Sequence, residues 1–454
     1  MEVTTIILAA GKGTRMKSSL PKVLHKVCGK PMLEHVINAA KGAGSTREVV
    51  VIGSGADKVR EEISGVEFAL QSEQLGTGHA VMMTKDKMAN LEGTVMILCG
   101  DTPLITSELL QKFIESHEQS KASATVLTAI MPDATGYGRI VRNQSGTVDK
   151  IVEHKDATED ELQIHEVNSG MYCFDIKTLF DALDKVTNDN AQGEYYLTDV
   201  LGIIRSQGFL INAFVTNGFT QILGINSRYQ LATAERILRQ RKNLELMDNG
   251  VTILDPDSTF IDYDVEIGRD STILPFTYIE NGTTIGENCS IGPNCRLQNT
   301  KIGNNVTMQF VYAHDAEVDD EVVIGPYVHL RPGTKINRKV KIGNFVEVKN
   351  SNIGEGSKLP HLQYIGDTDM GANVNLGCGT VTCNYDGKKK YRTTIGDNVF
   401  VGCNTNLVAP VTVNNGAYIA AGSTITQDVP ENSLAVGRAR QVNKTAWKDK
   451  RQMN

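Results

Sequence analysis

A branched aliphatic residue that recurs every six positions in the second half of the chain is the feature that most constrains the fold. The recurring residues are Ile261, Ile267, Ile273, Ile279, Ile285 and Ile291, then Val318, Ile324, Leu330, Ile336, Ile342 and Val348, and later Ile395, Val401, Leu407, Val413, Ile419 and Ile425. A helix repeats every ~3.6 residues and a strand every two, so neither explains this spacing. A parallel β-helix does, because each of its short strands turns one aliphatic side chain inward.

The composition agrees with so slender a core. Aromatic residues make up only 6% of the 454 residues, with one Trp. Ile, Val and Leu fit a narrow prism of stacked coils better than large rings do. The six-residue register breaks between about 297 and 318 and again from 348 to 395. Interruptions of a solenoid usually form loops on one face, so we expect loops, and binding residues, in these two segments.

The first half of the chain has a different pattern. Short apolar runs alternate with helical patterns, as in TTIILAA, PMLEHVINAAKGAG, EVVVIG, HAVMMTKDKMAN and TVMILCGD. Strands separated by helices of 10 to 15 residues indicate βαβ units. We therefore expect an α/β domain over residues 1–229, with a doubly wound, Rossmann-like and mainly parallel sheet.

A single long helix is predicted between the halves. Ser227 and Gln230 have the spacing of a capping box, Leu231, Ala234 and Leu238 lie on one helical stripe, and Asn249-Gly250 is a stop signal. We assign residues 230–250 to a linker helix and residues 251–454 to the β-helix domain.

Charge and composition exclude several classes of protein. Lys and Arg number 46 against 53 Asp and Glu, a net charge of −7, which does not indicate a nucleic-acid-binding surface. No apolar stretch approaches the ~18 residues of a membrane helix, so we expect no membrane insertion and a cytoplasmic location. The eight Cys residues form no CxxC motif and are expected to be reduced thiols.

Two features of the first half point to phosphate chemistry. Gly11-Lys12-Gly13-Thr14-Arg15 follows the first strand, and such a turn presents backbone N–H groups to phosphate oxygens. The alternative is an ordinary tight turn. Asp101 ends the apolar run that begins at Thr94, where α/β sheets bind ligands and where a carboxylate suits Mg²⁺. The alternative is an Asp that opens the turn before Pro103.

The second register break contains the reactive side chains of the β-helix. His361 is the candidate general base, because an imidazole suits proton removal from an ammonium group at neutral pH. Arg331 and Lys349 could bind a sugar phosphate. The alternative for each of the three is a solvated surface residue.

Motifs along the whole chain resemble one family. LAAGKGTRM, LPKVLHKV, QLGTGHA, GDTPLI, GYGRIVR, IVEHKDAT, NSGMY and NAQGEYYLTD are similar to the nucleotidylyltransferase domain of the bifunctional bacterial N-acetylglucosamine-1-phosphate uridyltransferases and glucosamine-1-phosphate N-acetyltransferases. The resemblance runs from residue 3 to about 445. It implies that the β-helix is left-handed, that the sugar nucleotide serves cell-wall synthesis, and that the protein is a homotrimer with acetyl sites between subunits.

The resemblance assigns roles in the first half. Arg15 and Lys22 would be catalytic residues that face the phosphates of UTP, and Asp101 and Asn226 would bind Mg²⁺. The residues expected to hold the uracil and ribose of UTP are Leu8, Ala9, Ala10, Gly11, Gln71, Gly76 and Thr77. The residues expected to contact the N-acetylglucosamine moiety are Gly138, Glu153 and Asn168.

In the β-helix, the resemblance makes His361 the proton acceptor. The residues expected to bind the amino-sugar phosphate are Arg331, Lys349, Tyr364 and Asn375. The residues expected to bind acetyl-CoA are Cys378, Asn384, Tyr385, Cys403, Ala421 and Arg438. The sequence departs from the usual family pattern at Leu359-Pro360, which replace Ala-Gly, at Gln363, which replaces Thr, at Cys378, which replaces Ala, and at Cys403, which replaces Ser.

The expected reactions are acetyl transfer from acetyl-CoA to glucosamine 1-phosphate, followed by Mg²⁺-dependent uridylyl transfer from UTP that gives UDP-N-acetylglucosamine and pyrophosphate. One alternative keeps only nucleotidyl transfer and makes the β-helix a regulatory or oligomerising module, because Pro360 alters the loop before His361. A second alternative is a scaffold without activity.

Overall fold

The computed structural model describes residues 2–89, 91–144, 146–190 and 192–448. The chain divides into two compact units, Met1–Leu238 and Arg239–Asn454. The division falls inside the helix Arg228–Asp248. The separate linker at 230–250 therefore remains a prediction. Within the described ranges, each helix is too short or too polar to span a membrane.

The first unit is built on a mixed sheet. In spatial order its strands are Ile211–Thr216, Ala124–Ile130, Glu166–Asp175, Thr94–Cys99, Val3–Ala9, Ser45–Ile52 and Glu67–Leu70. Glu166–Asp175 is antiparallel to both neighbours, and the other pairs along this order are parallel. Arg139–Arg142 and Val148–Val152 form a hairpin beside Glu166–Asp175, and a small hairpin joins Lys26–Val27 to Lys30–Pro31.

Helices pack on both faces of this sheet, although Glu159–Leu162 buries no residue and Arg228–Asp248 packs in a separate cluster with Val27, Cys28 and Met32. The helices are Met32–Gly42, Ala56–Glu62, Thr77–Met82, Lys85–Met88, Ser107–Ser120, Glu159–Leu162, Ile176–Leu183, Leu197–Ser206 and Arg228–Asp248, with short 3-10 turns at Thr14–Met16, Lys22–Leu24 and Phe219–Ile222. Ile6 and Ile7 are neighbours on the central strand, yet they belong to different buried cores, because successive strand side chains point to opposite faces. The predicted doubly wound α/β fold is confirmed.

The second unit is a parallel β-helix, as predicted. Its strands are Thr252–Ile253, Phe260–Ile261, Glu266–Ile267, Thr272–Ile273, Tyr278–Ile279, Thr284–Ile285, Ser290–Ile291, Arg296–Ile302, Thr307–Met308, Val311–Val318, Val323–Ile324, Val328–Leu330, Thr334–Ile336, Lys341–Lys349, Asn352–Ile353, Lys358–Gly366, Thr368–Met370, Asn375–Leu376, Val381–Cys383, Thr393–Ile395, Phe400–Val401, Asn406–Val408, Val411–Val413, Tyr418–Ile419, Thr424–Ile425 and Leu434–Ala435. Ile261 pairs with Ile279 in the next coil, so three six-residue repeats make one turn. The aliphatic residues of the six-residue pattern form one continuous core, with Ile267 partly buried at its edge.

The expectation of loops at both register breaks was wrong for most of their length. Across the first break, the coils continue with slightly shorter turns, since Ile285 pairs with Ile302 and Ile302 with Val318. Across the second break, Ile342 pairs with Leu359, and extra residues enter only where Leu376 pairs with Val401. These residues form an extension after Asn384, closed by a bridge between Tyr385 and Lys390. Shorter corners change the spacing without opening the coil.

The long helix begins close to the predicted cap. Ser227 Oγ accepts a hydrogen bond from the Gln230 N–H at 3.2 Å, and the Gln230 side-chain Oε1 accepts from the Asn226 N–H at 2.8 Å and from the Ser227 hydroxyl at 3.4 Å. Ser227 and Gln230 therefore pair as predicted, except that the backbone N–H bound by the Gln230 side chain is that of Asn226. Gly250, with a φ of +91°, follows the end of the helix as expected.

Candidate active sites

The first site lies at the carboxyl ends of the strands Val3–Ala9 and Thr94–Cys99. A cavity of about 300 Å³ opens there, and its lining includes Leu8, Ala9, Ala10, Gly11, Lys22, Gln71, Gly76, Thr77 and Asp101. Parallel strands that end at one edge bring together segments distant in sequence. The structure thus assembles most of the residues expected to hold UTP around one cavity. Arg15 lies nearby in sequence on an exposed 3-10 turn and is not among the lining residues.

Lys22 joins the two expected metal ligands. Its ammonium lies 2.5 Å from an Asp101 carboxylate oxygen and 3.0 Å from the Asn226 side-chain oxygen. Asp101 lies two residues after the strand Thr94–Cys99, whereas Asn226 lies two residues before the long helix. The Ile225 N–H donates to the Asp101 carbonyl at 2.9 Å, which keeps the two segments together.

Position 76 must be a glycine, because the backbone packed against it leaves no room for a side chain. Gly76 has a φ of +108°, and a Cβ at this position would lie 2.6 Å from the Tyr195 carbonyl oxygen. Gln71, which is buried, donates to the Gly76 carbonyl at 3.1 Å, and Thr77 Oγ1 accepts from the Leu197 N–H at 3.1 Å. The loop 71–77 is therefore fixed against residues 195–197.

The expected sugar contacts form their own cluster. A Cβ on Gly138 would lie 3.6 Å from both the Glu153 carboxylate and the Asn168 Cβ. Asn168 is buried and donates to the Tyr172 hydroxyl at 2.8 Å. Burial, and then the nearby Asp156 and Asp199, raise the pKa of Glu153 above its ordinary value. A half-buried carboxyl of this kind is a good acceptor for a sugar hydroxyl.

Five further residues line the cavity and were not predicted. They are Val23, Gln74, Ala80, Cys99 and Glu194. Glu194 stands within the motif NAQGEYY, so the sequence held a signal for it. Burial, and then Asp101, raise the pKa of the Cys99 thiol to about 12, which leaves it protonated and excludes it as a nucleophile near neutral pH.

The second site lies at one corner of the β-helix. We use the name His361 corner for Asn344, His361, Cys378, Cys403 and Ala421, which stack in successive coils. Asn344 pairs with His361, and the backbone N–H groups of Asn404 and Gly422 donate at 2.7 Å to the carbonyls of Cys378 and Cys403. The predicted base and three predicted acetyl-CoA residues therefore share one edge. Arg438 reaches the same edge, donating at 2.8 Å to the Ala421 carbonyl.

His361 is exposed, and the Asn344 side chain orients its ring. Its Nδ1 lies 2.8 Å from Asn344 Oδ1, which can only accept, so Nδ1 carries the hydrogen. The lone pair then resides on Nε2. A neutral imidazole held in this tautomer can take a proton from an amine.

Pro360 leaves the stack intact. Leu359 is fully buried and pairs with Ile342, and His361 pairs with Asn344 on the other side of Pro360. Gln363, buried as well, donates at 2.9 Å to the carbonyls of Leu376 and Gly377. The unusual residues therefore keep the register on both sides of His361.

Two of the four expected amino-sugar residues, Lys349 and Tyr364, lie around the buried Asp367, whereas Arg331 donates to a Glu347 carboxylate oxygen at 2.7 Å. The Lys349 ammonium lies 3.3 Å from the Asp367 carboxylate, and Asn350 and Asn384 donate to the same group. Burial opposes ionisation, yet these hydrogen bonds and Lys349 hold the pKa of Asp367 below its ordinary value. Tyr364 lies 3.4 Å from Asn384 through its hydroxyl.

Asn384 belongs to this cluster, whereas the predicted acetyl-CoA residues Cys378, Cys403 and Ala421 stack in the His361 corner. Tyr385 is exposed on the extension that follows Asn384. Asn375 stands on the strand before the corner, beside Lys358 and Phe400. The expected acetyl-CoA residues are thus divided between the His361 corner and the segment that contains Asn384 and Tyr385.

Lys390 was missed by the sequence reasoning. The facing Lys349 ammonium, through a close contact and its charge, lowers the pKa of Lys390, and Arg331 adds to the effect. Two ammonium groups that face each other with a guanidinium nearby form an anion-binding arrangement. Lys390 lies in the run Lys388-Lys389-Lys390, a charge cluster that could have pointed to it.

Comparison with known proteins agrees with the fold described for each half of the chain. The nucleotidyl transferase family model matches residues 4–219, and the bacterial transferase hexapeptide model matches residues 264–299 and 392–427. A bifunctional protein GlmU of Geobacillus thermodenitrificans is 56% identical over 98% of this chain and 97% of its own length. The chain belongs to the GlmU family. A GlmU of Caldanaerobacter subterraneus is also 56% identical, over 99% of this chain and 98% of its own, and one of Clostridium beijerinckii is 53% identical over 98% of each.

Membership of the GlmU family confirms the resemblance stated from the sequence. The protein is a bifunctional enzyme that combines uridylyl transfer with acetyl transfer, and its hexapeptide domain has the left-handed β-helix fold. The two alternatives, a single activity with a regulatory β-helix and a scaffold without activity, were wrong.

Proposed function

We propose that the cavity beside Lys22 carries out uridylyl transfer and that the His361 corner carries out acetyl transfer. The observation that carries this proposal is the clustering of each residue set, within one unit, around groups suited to its reaction. The first reaction in order is acetylation of glucosamine 1-phosphate, and the second couples the product to UTP.

For uridylyl transfer, an oxygen of the sugar phosphate attacks the α-phosphorus of UTP, the new P–O bond forms, and pyrophosphate leaves. The attacking oxygen is already ionised, so no general base is needed, and positioning and charge neutralisation do most of the work. Lys22 at the cavity wall and Arg15 on its turn supply positive charge for the phosphates. Leu8 to Gly11 and the fixed loop 71–77 are placed to bind the uracil and ribose. Gly138, Glu153 and Asn168 are placed to bind the N-acetylglucosamine moiety.

Asp101 and Asn226 fit a magnesium ion. A carboxylate and an amide oxygen are the hard donors that Mg²⁺ prefers, and both contact the same Lys22 ammonium, so they lie within reach of one cation. In nucleotidyl transfer, bound Mg²⁺ neutralises charge on the phosphates. Lys22 would then be left to face the phosphates.

For acetyl transfer, the amine of glucosamine 1-phosphate attacks the thioester carbonyl of acetyl-CoA, the C–N bond forms, and coenzyme A leaves as the C–S bond breaks. His361 Nε2 takes the amine proton, because Nδ1 already donates to Asn344. Arg331, Lys349 and Lys390 supply positive charge for the sugar phosphate, with Tyr364 and Asn375 as polar contacts. Acetyl-CoA would run along the His361 corner past Cys378, Cys403 and Ala421 towards Arg438. Contacts from Asn384 and Tyr385 to acetyl-CoA remain a prediction.

We also propose a homotrimer in the cytoplasm. One corner of the β-helix carries large apolar side chains on successive coils, in which Tyr327 and Phe345 are exposed and Phe310 is half-buried, with the exposed Phe276 beyond Asn294. Tyr327 and Phe345 stack with ring centroids 5.2 Å apart. An exposed group of apolar side chains of this kind marks a protein interface. Sedimentation equilibrium should give three times the chain mass, and a monomer mass at micromolar concentration would exclude the trimer.

A coupled assay tests the proposed reactions. The full-length protein is incubated with glucosamine 1-phosphate, acetyl-CoA, UTP and Mg²⁺, and coenzyme A and pyrophosphate are measured separately. We expect both products, and we expect pyrophosphate alone when N-acetylglucosamine 1-phosphate replaces the first substrate and acetyl-CoA is omitted. Coenzyme A release without pyrophosphate, or the reverse, would contradict one half of the proposal.

A further inference from the structure

A tight turn behind the first site depends on the long helix. The hairpin Lys26–Val27 and Lys30–Pro31 is closed by Cys28 and Gly29, which have φ values of +45° and +78°. Positive φ at both central residues is the two-residue turn that matches strand twist, but it strains a non-glycine residue. Cys28 is also almost fully buried, so its backbone N–H needs an acceptor inside the protein.

Glu235, from the second turn of the helix Arg228–Asp248, supplies that acceptor. Its Oε2 accepts a hydrogen bond from the Cys28 N–H at 2.6 Å. The Cys28 thiol lies 3.6 Å from Oε1 of the same carboxylate. A charged acceptor makes this a strong hydrogen bond, and it compensates for the strained turn.

Arg228 holds the same segment at two other points. Its Nε donates to the Met16 carbonyl, and its Nη1 lies next to His25 Nδ1, both at 3.3 Å. Because the guanidinium can only donate, His25 accepts and is neutral, and burial together with Arg228 lowers the pKa of His25. Met16 directly follows Arg15, and His25 comes three residues after Lys22.

The apolar side of the helix packs on the same region. Ala234 and Leu238 share a buried cluster with Val27, Cys28 and Met32. Apolar contacts set the distance between helix and hairpin but have no direction. The hydrogen bonds from Arg228 and Glu235 therefore fix where the segment 16–28 sits along the helix.

We propose that Arg228 and Glu235 are positioning residues for uridylyl transfer, which hold the segment carrying Lys22, and the end of the turn carrying Arg15, in the geometry that the UTP phosphates require. The inference rests on the proposed roles of Arg15 and Lys22. Neither Arg228 nor Glu235 lines the cavity, so they act through the segment and not on the substrate. A displacement of about 1 Å at a phosphate-binding cation can cost up to ~100-fold in rate.

Four variants of the full-length protein test the proposal: Glu235→Ala, Glu235→Gln, Arg228→Ala and Arg236→Ala. Arg236 is exposed on the same helix and serves as the control for loss of a positive charge. We expect kcat/KM for UTP to fall roughly 10- to 100-fold in Glu235→Ala and Arg228→Ala. Glu235→Gln should retain most of the activity, because its amide oxygen still accepts from the Cys28 N–H. Acetyl transfer should be unchanged in all four variants.

The proposal is overturned if Glu235→Gln loses as much activity as Glu235→Ala, or if Arg228→Ala and Glu235→Ala match Arg236→Ala. A parallel fall in acetyl transfer would likewise overturn it, since that indicates general destabilisation.

Amide hydrogen exchange of the peptide 26–31 gives a readout independent of catalysis. We expect faster exchange in Glu235→Ala than in wild type, and no change in Glu235→Gln. Equal exchange in Glu235→Ala and wild type would show that Glu235 does not hold the turn. A wild-type protein without uridylyl transfer would refute the proposed function, while the exchange result would still decide whether Glu235 holds the turn.

Discussion

At the scale of single residues, the chemistry of a side chain depends more on its hydrogen-bond partner than on its residue type. A lone His in a sequence is usually a surface residue, and only the Asn344 contact at 2.8 Å makes His361 a base in a defined tautomer. The pairing of Asn344 with His361 joins residues from successive coils, and their separation depends on corner length. The sequence therefore pointed to His361 but not to Asn344. Asp367 and Lys390 were missed for the same reason.

Replacing Asn344 tests the tautomer. Asn344→Ala removes the acceptor for Nδ1, and we expect acetyl transfer to fall roughly 10- to 100-fold with uridylyl transfer unchanged. Asn344→Asp places a negative charge beside the ring, which stabilises the imidazolium relative to the neutral base. The base is then protonated up to a higher pH, so the acid limb of the acetyl-transfer pH profile should move to higher pH. An identical profile in wild type and Asn344→Asp would contradict the assignment.

Cys403 offers a second test at the same scale, because its thiol is exposed, whereas Cys99 is only partly exposed and its surroundings raise its pKa to about 12. An alkylating reagent should modify Cys403 and block acetyl transfer, leaving uridylyl transfer intact, and acetyl-CoA should protect it. Cys403→Ser keeps a small polar side chain and should be active and resistant. If alkylated Cys403 leaves acetyl transfer at its full rate, acetyl-CoA does not pass this point of the corner.

At the scale of elements, the six-residue period predicted the β-helix but overestimated the loops. The spacing shows which residues face inward and breaks whenever a corner loses a residue, although the coil continues. In the first half, strand and helix patterns predicted the doubly wound sheet. The antiparallel placement of Glu166–Asp175 could not be predicted, because it depends on which strands become neighbours and not on local pattern.

Gly343 tests how closely the coils must stack at the His361 corner. A Cβ there would lie 1.9 Å from the Pro360 carbonyl oxygen, so Gly343→Ala must displace the backbone next to His361. We expect a loss of stability of about 1 to 3 kcal/mol and of most acetyl transfer, with uridylyl transfer retained. Gly202→Ala is the control, since Gly202 lies in the helix Leu197–Ser206 with no atom within 4 Å of the added Cβ. Equal acetyl transfer and thermal stability in Gly343→Ala and wild type would show that the corner can relax.

At the scale of the whole molecule, one chain carries two reactions in two separately packed units. The first unit is a sheet whose strand ends gather phosphate-binding residues, and the second is a prism whose corner gathers a base and small side chains. Each unit has its own buried core, and each proposed site is built from residues of one unit. We therefore expect that the two activities can be lost one at a time.

The most direct test measures coenzyme A release and pyrophosphate release in parallel on full-length His361→Ala and Asp101→Ala. We expect His361→Ala to lose coenzyme A release from glucosamine 1-phosphate while it forms pyrophosphate from N-acetylglucosamine 1-phosphate and UTP at the wild-type rate. Asp101→Ala should show the opposite result. If either substitution abolishes both activities in a protein with wild-type thermal stability, the two sites are not independent and the central claim is wrong.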